Sequence, residues 1–215
     1  MEIRSFSEID LAAAKGVLTD LDNTLYAYDR CNEYASDQVW QQVKAWYGVE
    51  AKLFSNLLAE AKNHVKYNNI GQASSHSRIL YFQYVLEKLT GKTQFQQTVA
   101  LEKLYWDCFF QKMTLKEGVL DFLEKCVAKR LKVVVVTDLT CTLQLQKIAH
   151  LQLESYIDFI VSSEEAGIEK PHPYMFLMAL RKAGLTAEEV IYLGDSYEKD
   201  YKGATSLGIR SYLLK

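Results

Sequence analysis

The chain has 215 residues, 49% hydrophobic and 24% charged, with 25 basic against 27 acidic side chains and a formal net charge of -2. That balance excludes a disordered chain and a strongly basic nucleic-acid footprint, though not a small basic patch. No apolar run approaches the ~20 residues of a membrane span, and Glu2, Arg4, Glu8 and Asp10 interrupt the place of a signal-peptide core. The length predicts one domain, or one domain carrying an inserted second. Cys31, Cys108, Cys126 and Cys141 form no CxxC pair and read as reduced thiols, which predicts a cytoplasmic protein.

In chain order, the first predicted element is a strand over Val17-Leu18-Thr19-Asp20-Leu21. The stretch from about 31 to 112 then carries apolar residues at helical spacing in four runs: Val39, Trp40, Val43, Trp46 and Tyr47; Leu53, Phe54, Leu57, Leu58, Ala61 and Val65; Phe82, Val85, Leu86 and Leu89; and Leu101, Leu104, Tyr105 and Cys108. Gly48, Gly71 and Gly91 separate the runs, where helices would stop. All three tryptophans (Trp40, Trp46, Trp106) lie in this stretch and both prolines (Pro171, Pro173) lie outside it. A four-helix unit over residues 27–112, inserted between 1–26 and 113–215, is the predicted organisation. Gly91-Lys92-Thr93 looks like the end of a phosphate-binding loop, but residue 86 is leucine where the first glycine belongs, and a helix precedes it.

Beyond residue 112, strands and helices alternate. Val133–Val136, Phe159–Val161, Val190–Leu193 and Ser211–Leu214 are continuous apolar runs, as in strands buried on both faces of a parallel sheet. Between them fall the helical patterns Val119, Leu120, Leu123, Val127; Leu145, Ile148, Ala149; Phe176, Leu177, Leu180; and Tyr201, Ala204, Leu207. The predicted fold is α/β, a doubly wound parallel sheet, whose ligands bind beyond the carboxyl ends of the strands.

Polar groups follow those strand ends: Asp20-Leu21-Asp22-Asn23-Thr24, Thr137, Lys170, and Asp195 with Asp200. A strand continued through Asp20 and Asp22 would point both to one side. Gathering four carboxylates demands a cation, since each like-charge pair at ~4 Å costs about 4 kcal/mol at an effective dielectric of ~20. Oxygen ligands with room for waters and a phosphate suit Mg²⁺. A carboxylate nucleophile, a second carboxyl as acid and base, a lysine ammonium and a threonine hydroxyl fit phosphoryl transfer through an aspartyl-phosphate. Lys170 precedes Pro171, which biases it to extended backbone, and Pro173 suits a helix start.

The ordered set DxDNT, a strand-end threonine, Lys-Pro and GDxxxxD resembles the haloacid dehalogenase superfamily, over about residues 16 to 214. The helical insert resembles the cap of its α-helical subgroup. The resemblance implies Asp20 as nucleophile, Asp22 as general acid/base, and Thr137 and Lys170 as phosphate and charge stabilisers. Mg²⁺ would be held by Asp20, the backbone carbonyl of Asp22 and Asp195, with Asp200 supporting the site. Related phosphatases often have asparagine after the threonine. Here Asp138 stands there and adds a negative charge on the substrate side.

Tyr28 and Arg30 follow the DxDNT loop and are candidates for lining its entrance. Asn68, Asn69, His76 and Arg78, around the second helix break, are candidates for facing a substrate, with solvated surface the competing expectation. His64, His76, His150 and His172 have no metal-ligand spacing. The expected activity is Mg²⁺-dependent hydrolysis of a small soluble phosphate ester, without nucleic-acid or membrane partners. A phosphomutase, or a phosphate-binding protein without catalysis, stays open, as do substrate and oligomeric state.

Overall fold

The computed structural model describes residues 1–215. They form two compact units, one of Met1–Ala27, Gly71–Ala73 and Thr114–Lys215, the other of Tyr28–Ile70 and Ser74–Met113.

The first unit is built on six parallel strands, β1 (Glu2–Ile3), β2 (Gly16–Thr19), β3 (Lys132–Thr137), β4 (Phe159–Ser162), β5 (Val190–Gly194) and β6 (Arg210–Leu214), in the spatial order β1-β6-β5-β2-β3-β4. The two-residue β1, not predicted from the sequence, extends the sheet by pairing Glu2 with Leu213 and Ile3 with Leu214. Helices α5 (Val119–Ala128), α6 (Cys141–His150), α7 (Ser163–Ala166), α8 (Pro173–Ala183) and α9 (Gly203–Thr205) connect the strands. Strands β2, β3 and β5 are apolar on both faces because each face is covered, and every residue of β2 and β5 is buried. Leu18, Val134, Val136, Val161, Met175, Phe176, Ala179 and Tyr192 form one core between the sheet and α8.

Chain order sets the position of the site. From β2 the chain steps to β3 and β4 on one side, then returns to β5 on the other. The connections diverge at the carboxyl end of β2, opening the crevice where doubly wound sheets bind ligands. Thr19 pairs with Val135 of β3 and Leu193 of β5, so Asp20 leaves the sheet in the middle of that crevice.

The second unit is four helices, α1 (Tyr28–Tyr47), α2 (Ala51–Asn68), α3 (Arg78–Thr90) and α4 (Phe95–Gln111). Cys31, Ala35, Val39 and Val43 recur every four residues on α1 and are all buried. They pack along α4, which buries Leu101, Tyr105, Cys108 and Phe109; α4 packs on α3, and α3 on α2. Gly91 ends α3 in the left-handed conformation at φ 74°, which an L side chain rarely adopts. Leu53, expected on the inner face of α2, is instead exposed, and Phe54, Leu58, Ala61 and Val65 carry that face. No helix is long and apolar enough to cross a membrane.

Candidate active site

The first functional segment leaves the sheet sooner than its pattern suggests. Strand β2 ends at Thr19, the Asp20 amide still donating to the Leu193 carbonyl of β5 at 2.8 Å, while Asp22 lies beyond the strand, next to a turn in which Asn23 takes a left-handed φ of 60°. Consequently the two carboxylates enter different networks.

Asp20 is buried, with Thr24 Oγ1 donating to Oδ2 at 2.9 Å and Lys170 Nζ donating to Oδ1 at 2.6 Å. Lys170 Nζ also donates to Asp200 Oδ1 at 2.7 Å, and the Tyr192 hydroxyl donates to that same oxygen at 2.7 Å. The Ser196 amide, at 3.0 Å, engages Asp200 Oδ2. Asp20, Asp195 and Asp200 each offer a carboxylate oxygen, all within 4.8 Å of one another. Burial, reinforced by the charges of Asp200, Asp195 and Asp22 against the pull of Lys170, pushes the Asp20 carboxyl up to about 8. Burial and Asp200 likewise raise Asp195. Burial opposes the charge of Lys170, but Asp20 and Asp200 outweigh it and hold the ammonium well above its ordinary range. One ammonium thus faces three carboxylates, a set of hard oxygen donors with excess negative charge. The residues fit a divalent cation such as Mg²⁺.

Asp22 lies outside that acidic group. Lys147 Nζ reaches its Oδ1 at 2.7 Å and Oδ2 at 3.0 Å, and the Tyr26 hydroxyl donates to Oδ1. Gln144 Nε2 lies 3.2 Å from Oδ2, 2.5 Å from Thr137 Oγ1 and 2.6 Å from the Asp138 carbonyl. Burial alone would raise Asp22, but Lys147, Tyr26 and Gln144 outweigh it and hold the carboxyl below the usual range. As a cation ligand Asp22 therefore has its main-chain carbonyl to offer, its carboxylate being engaged elsewhere.

Of the remaining predicted residues, Thr137 is buried at the end of β3, tied to the Asp22 network through Gln144. Asp138 accepts from the Lys170 amide at 3.0 Å and pairs with Lys199 Nζ at 2.7 Å, so its carboxylate pins the Lys170 loop. The Lys170–Pro171 peptide in that loop is cis. Tyr28 and Arg30 belong to the helical unit, where Arg30 is exposed on α1 and the Tyr28 hydroxyl is engaged by Arg78. Arg78 is buried, not solvated.

Sequence reasoning missed Gln144, Lys147, Tyr192 and Gly194. The inward face of α6 is Gln144, Lys147 and Ile148, while Leu145 is exposed. Of the predicted stripe Leu145, Ile148 and Ala149 only Ile148 faces inward, because this helix turns polar groups toward the site. Gly194 ends β5 where a Cβ would lie 2.5 Å from Asp200 Cγ, so only glycine leaves that carboxylate its place. The glycine of the GDxxxxD motif was the available signal.

The family model for haloacid dehalogenase-like hydrolases matches residues 17–214. The chain belongs to this family and is a phosphatase-like member of it. It is 34% identical over 202 residues to the ribulose-1,5-bisphosphate 5-phosphatase of Halopiger xanaduensis, covering 94% of this chain and 84% of the relative. To the glyceraldehyde 3-phosphate phosphatase of Methanopyrus kandleri it is 29% identical over 197 residues, covering 91% and 81%. The crystal structure of a phosphatase of the family from Thermococcus onnurineus superposes with a TM-score of 0.71 at 20% identity, over 94% of this chain and 86% of that one, a likeness of fold.

Proposed function

We propose that the protein hydrolyses a small phosphorylated metabolite of the sugar or triose phosphate class, with Asp20 as nucleophile. The observation that carries this reading is the buried Lys170 ammonium joining Asp20 to Asp200 at the carboxyl end of the central strand. The names of the two relatives, a sugar bisphosphate phosphatase and a triose phosphate phosphatase, support the substrate class.

In the first step an Asp20 carboxylate oxygen bonds to phosphorus, the ester P–O bond breaks, and the departing oxygen takes a proton from Asp22. In the second, water attacks the phosphorus of the aspartyl-phosphate, Asp22 accepts its proton, and the bond to Asp20 breaks to release inorganic phosphate. Asp20, raised by burial and its acidic neighbours, must be ionised to attack, a form that Lys170 favours and that a bound divalent cation would favour further; Lys170 also offsets the repulsion between the carboxylate and an anionic phosphate. Thr137 accepts from Gln144, which leaves its own hydroxyl hydrogen only a 3.3 Å contact with the Asp138 carbonyl and frees it for a phosphate oxygen. Lys147 holds Asp22 ionised, its form as base in the second step, so Asp22 must gain a proton when substrate binds to act as acid in the first. Asp20, Asp195, Asp200 and the main-chain carbonyl of Asp22 would hold Mg²⁺, which when bound supplies further neutralisation of phosphate charge.

Phosphate release from a panel of sugar and triose phosphates, with Mg²⁺ and with chelator, tests the proposal. Metal-dependent release from a narrow subset, lost in Asp20→Asn, is the expected result. Release undiminished in that variant, or isomer formation without free phosphate, overturns it.

A further inference from the structure

We propose that the helical unit carries its own oxyanion site, centred on Arg78 at the start of α3, that takes a phosphate or carboxylate group of a small metabolite. Arg78 is only 8% exposed and has no carboxylate partner. Its guanidinium carbon lies over four aromatic rings, 5.9 Å from the centre of Tyr28, 5.4 Å from Tyr81, 5.3 Å from Tyr105 and 5.7 Å from Trp106. Nη1 donates to the His76 carbonyl at 2.5 Å and Nη2 to the Tyr28 hydroxyl, while Nε, fully buried, has no acceptor.

Ring faces attract a cation, each by roughly 0.5–2 kcal/mol, but they accept no directed hydrogen bond in the guanidinium plane. Tyr81 donates to the Ser75 carbonyl at 2.6 Å and Tyr105 to Asn32 Oδ1 at 2.8 Å, while the Tyr105 hydroxyl oxygen also takes a hydrogen bond from Arg78. A buried ion without a counter-ion costs several kcal/mol, a deficit that an anion would remove. The guanidinium reaches the carbonyl of His76, two residues before it in the chain, and the N-cap of α3, Ser77, makes no side-chain cap. The amides of that first turn have no partner within the helix, and the positive end of the dipole favours an anion. A forked guanidinium is suited to an oxyanion with several acceptor oxygens. The proposal is independent of the hydrolytic reading, since it concerns binding within the helical unit.

The test is a titration of the full chain with inorganic phosphate, read on the arginine side-chain Nε–H resonances. There are six arginines, and the Arg78 signal is the one lost in Arg78→Lys. The expected result is a saturable shift of that signal, accompanied by a change in tryptophan fluorescence from the neighbouring Trp106. In Arg78→Lys, folded by circular dichroism, the fluorescence midpoint should move up at least about tenfold, because a lysine lacks the planar fork. An Arg78 signal that stays fixed while other resonances saturate, or a midpoint unchanged in Arg78→Lys, would show Arg78 to be a structural cation held by its rings and overturn the proposal. Phosphate release, measured separately on the same samples, keeps a failure of the hydrolase reading distinct from a failure of this one.

Discussion

Both units bury long cationic side chains, but they compensate them differently. In the α/β unit Lys170 bridges two carboxylates and Lys147 holds both oxygens of a third. In the helical unit Arg78 meets rings, a carbonyl and a hydroxyl. Charges paired within the fold are fixed components of it, and removing one partner strands the other. A buried charge lacking its opposite is satisfied only in part by the fold and stays receptive to an outside anion.

The largest expected effect comes from the paired side. Asp20→Asn should lower kcat by at least roughly three orders of magnitude, as loss of the proposed nucleophile would, with the fold retained. Steady-state phosphate release checks this. Lys147→Met removes the partner of a largely buried carboxylate. It should cost about 3–5 kcal/mol in urea unfolding and lower kcat by roughly 10²-fold or more, with a smaller change in KM. Arg78→Met sharpens the comparison because it strands no carboxylate, so its unfolding cost should be less than half that of Lys147→Met. Equal costs would remove the distinction between the two kinds of burial.

Gly194→Ala should cost about 1–3 kcal/mol and most of the activity, because the new Cβ collides with Asp200 and displaces the network around Lys170. A thermal melt paired with an activity assay reads both. The smallest effect belongs to an ordinary surface pair. Asp158 receives Lys132 Nζ at 2.7 Å and the Val133 amide at 2.9 Å; burial opposes its charge, but these donors lower its carboxyl below the ordinary value. A depressed folded value means stability present above the unfolded value of ~3.9 and lost as pH falls through the folded one. Asp158→Asn should therefore cost under about 1 kcal/mol at neutral pH, and nothing in acid once the carboxyl is protonated in both states. Unfolding curves at both pH values check the sign.

How much could be read beforehand depended on the kind of pattern. The four helices and the central strands followed from apolar periodicity, because a covered face must be apolar wherever nothing else is asked of it. The pattern failed on α6, where Gln144 and Lys147 take the inward positions that apolar residues take elsewhere. Arg78, a candidate for facing a substrate or for solvated surface, lies buried among rings, which no local spacing indicates. On α6 a polar group is buried for a particular partner, and no local spacing reveals a partner that lies 125 residues away, as Asp22 does from Lys147.

By itself the sequence determined the alternation of strands and helices, the inserted helical stretch and the ordered polar residues at the strand ends, since each follows from local spacing and chain order. Only the tertiary structure decided that Asp20 and Asp22 enter separate networks, that Asp138 pins the Lys170 loop, and that Arg78 is a buried cation without a counter-charge. Those are matters of which distant side chains share a low-dielectric space, where electrostatic energy depends on distance and burial and not on position along the chain.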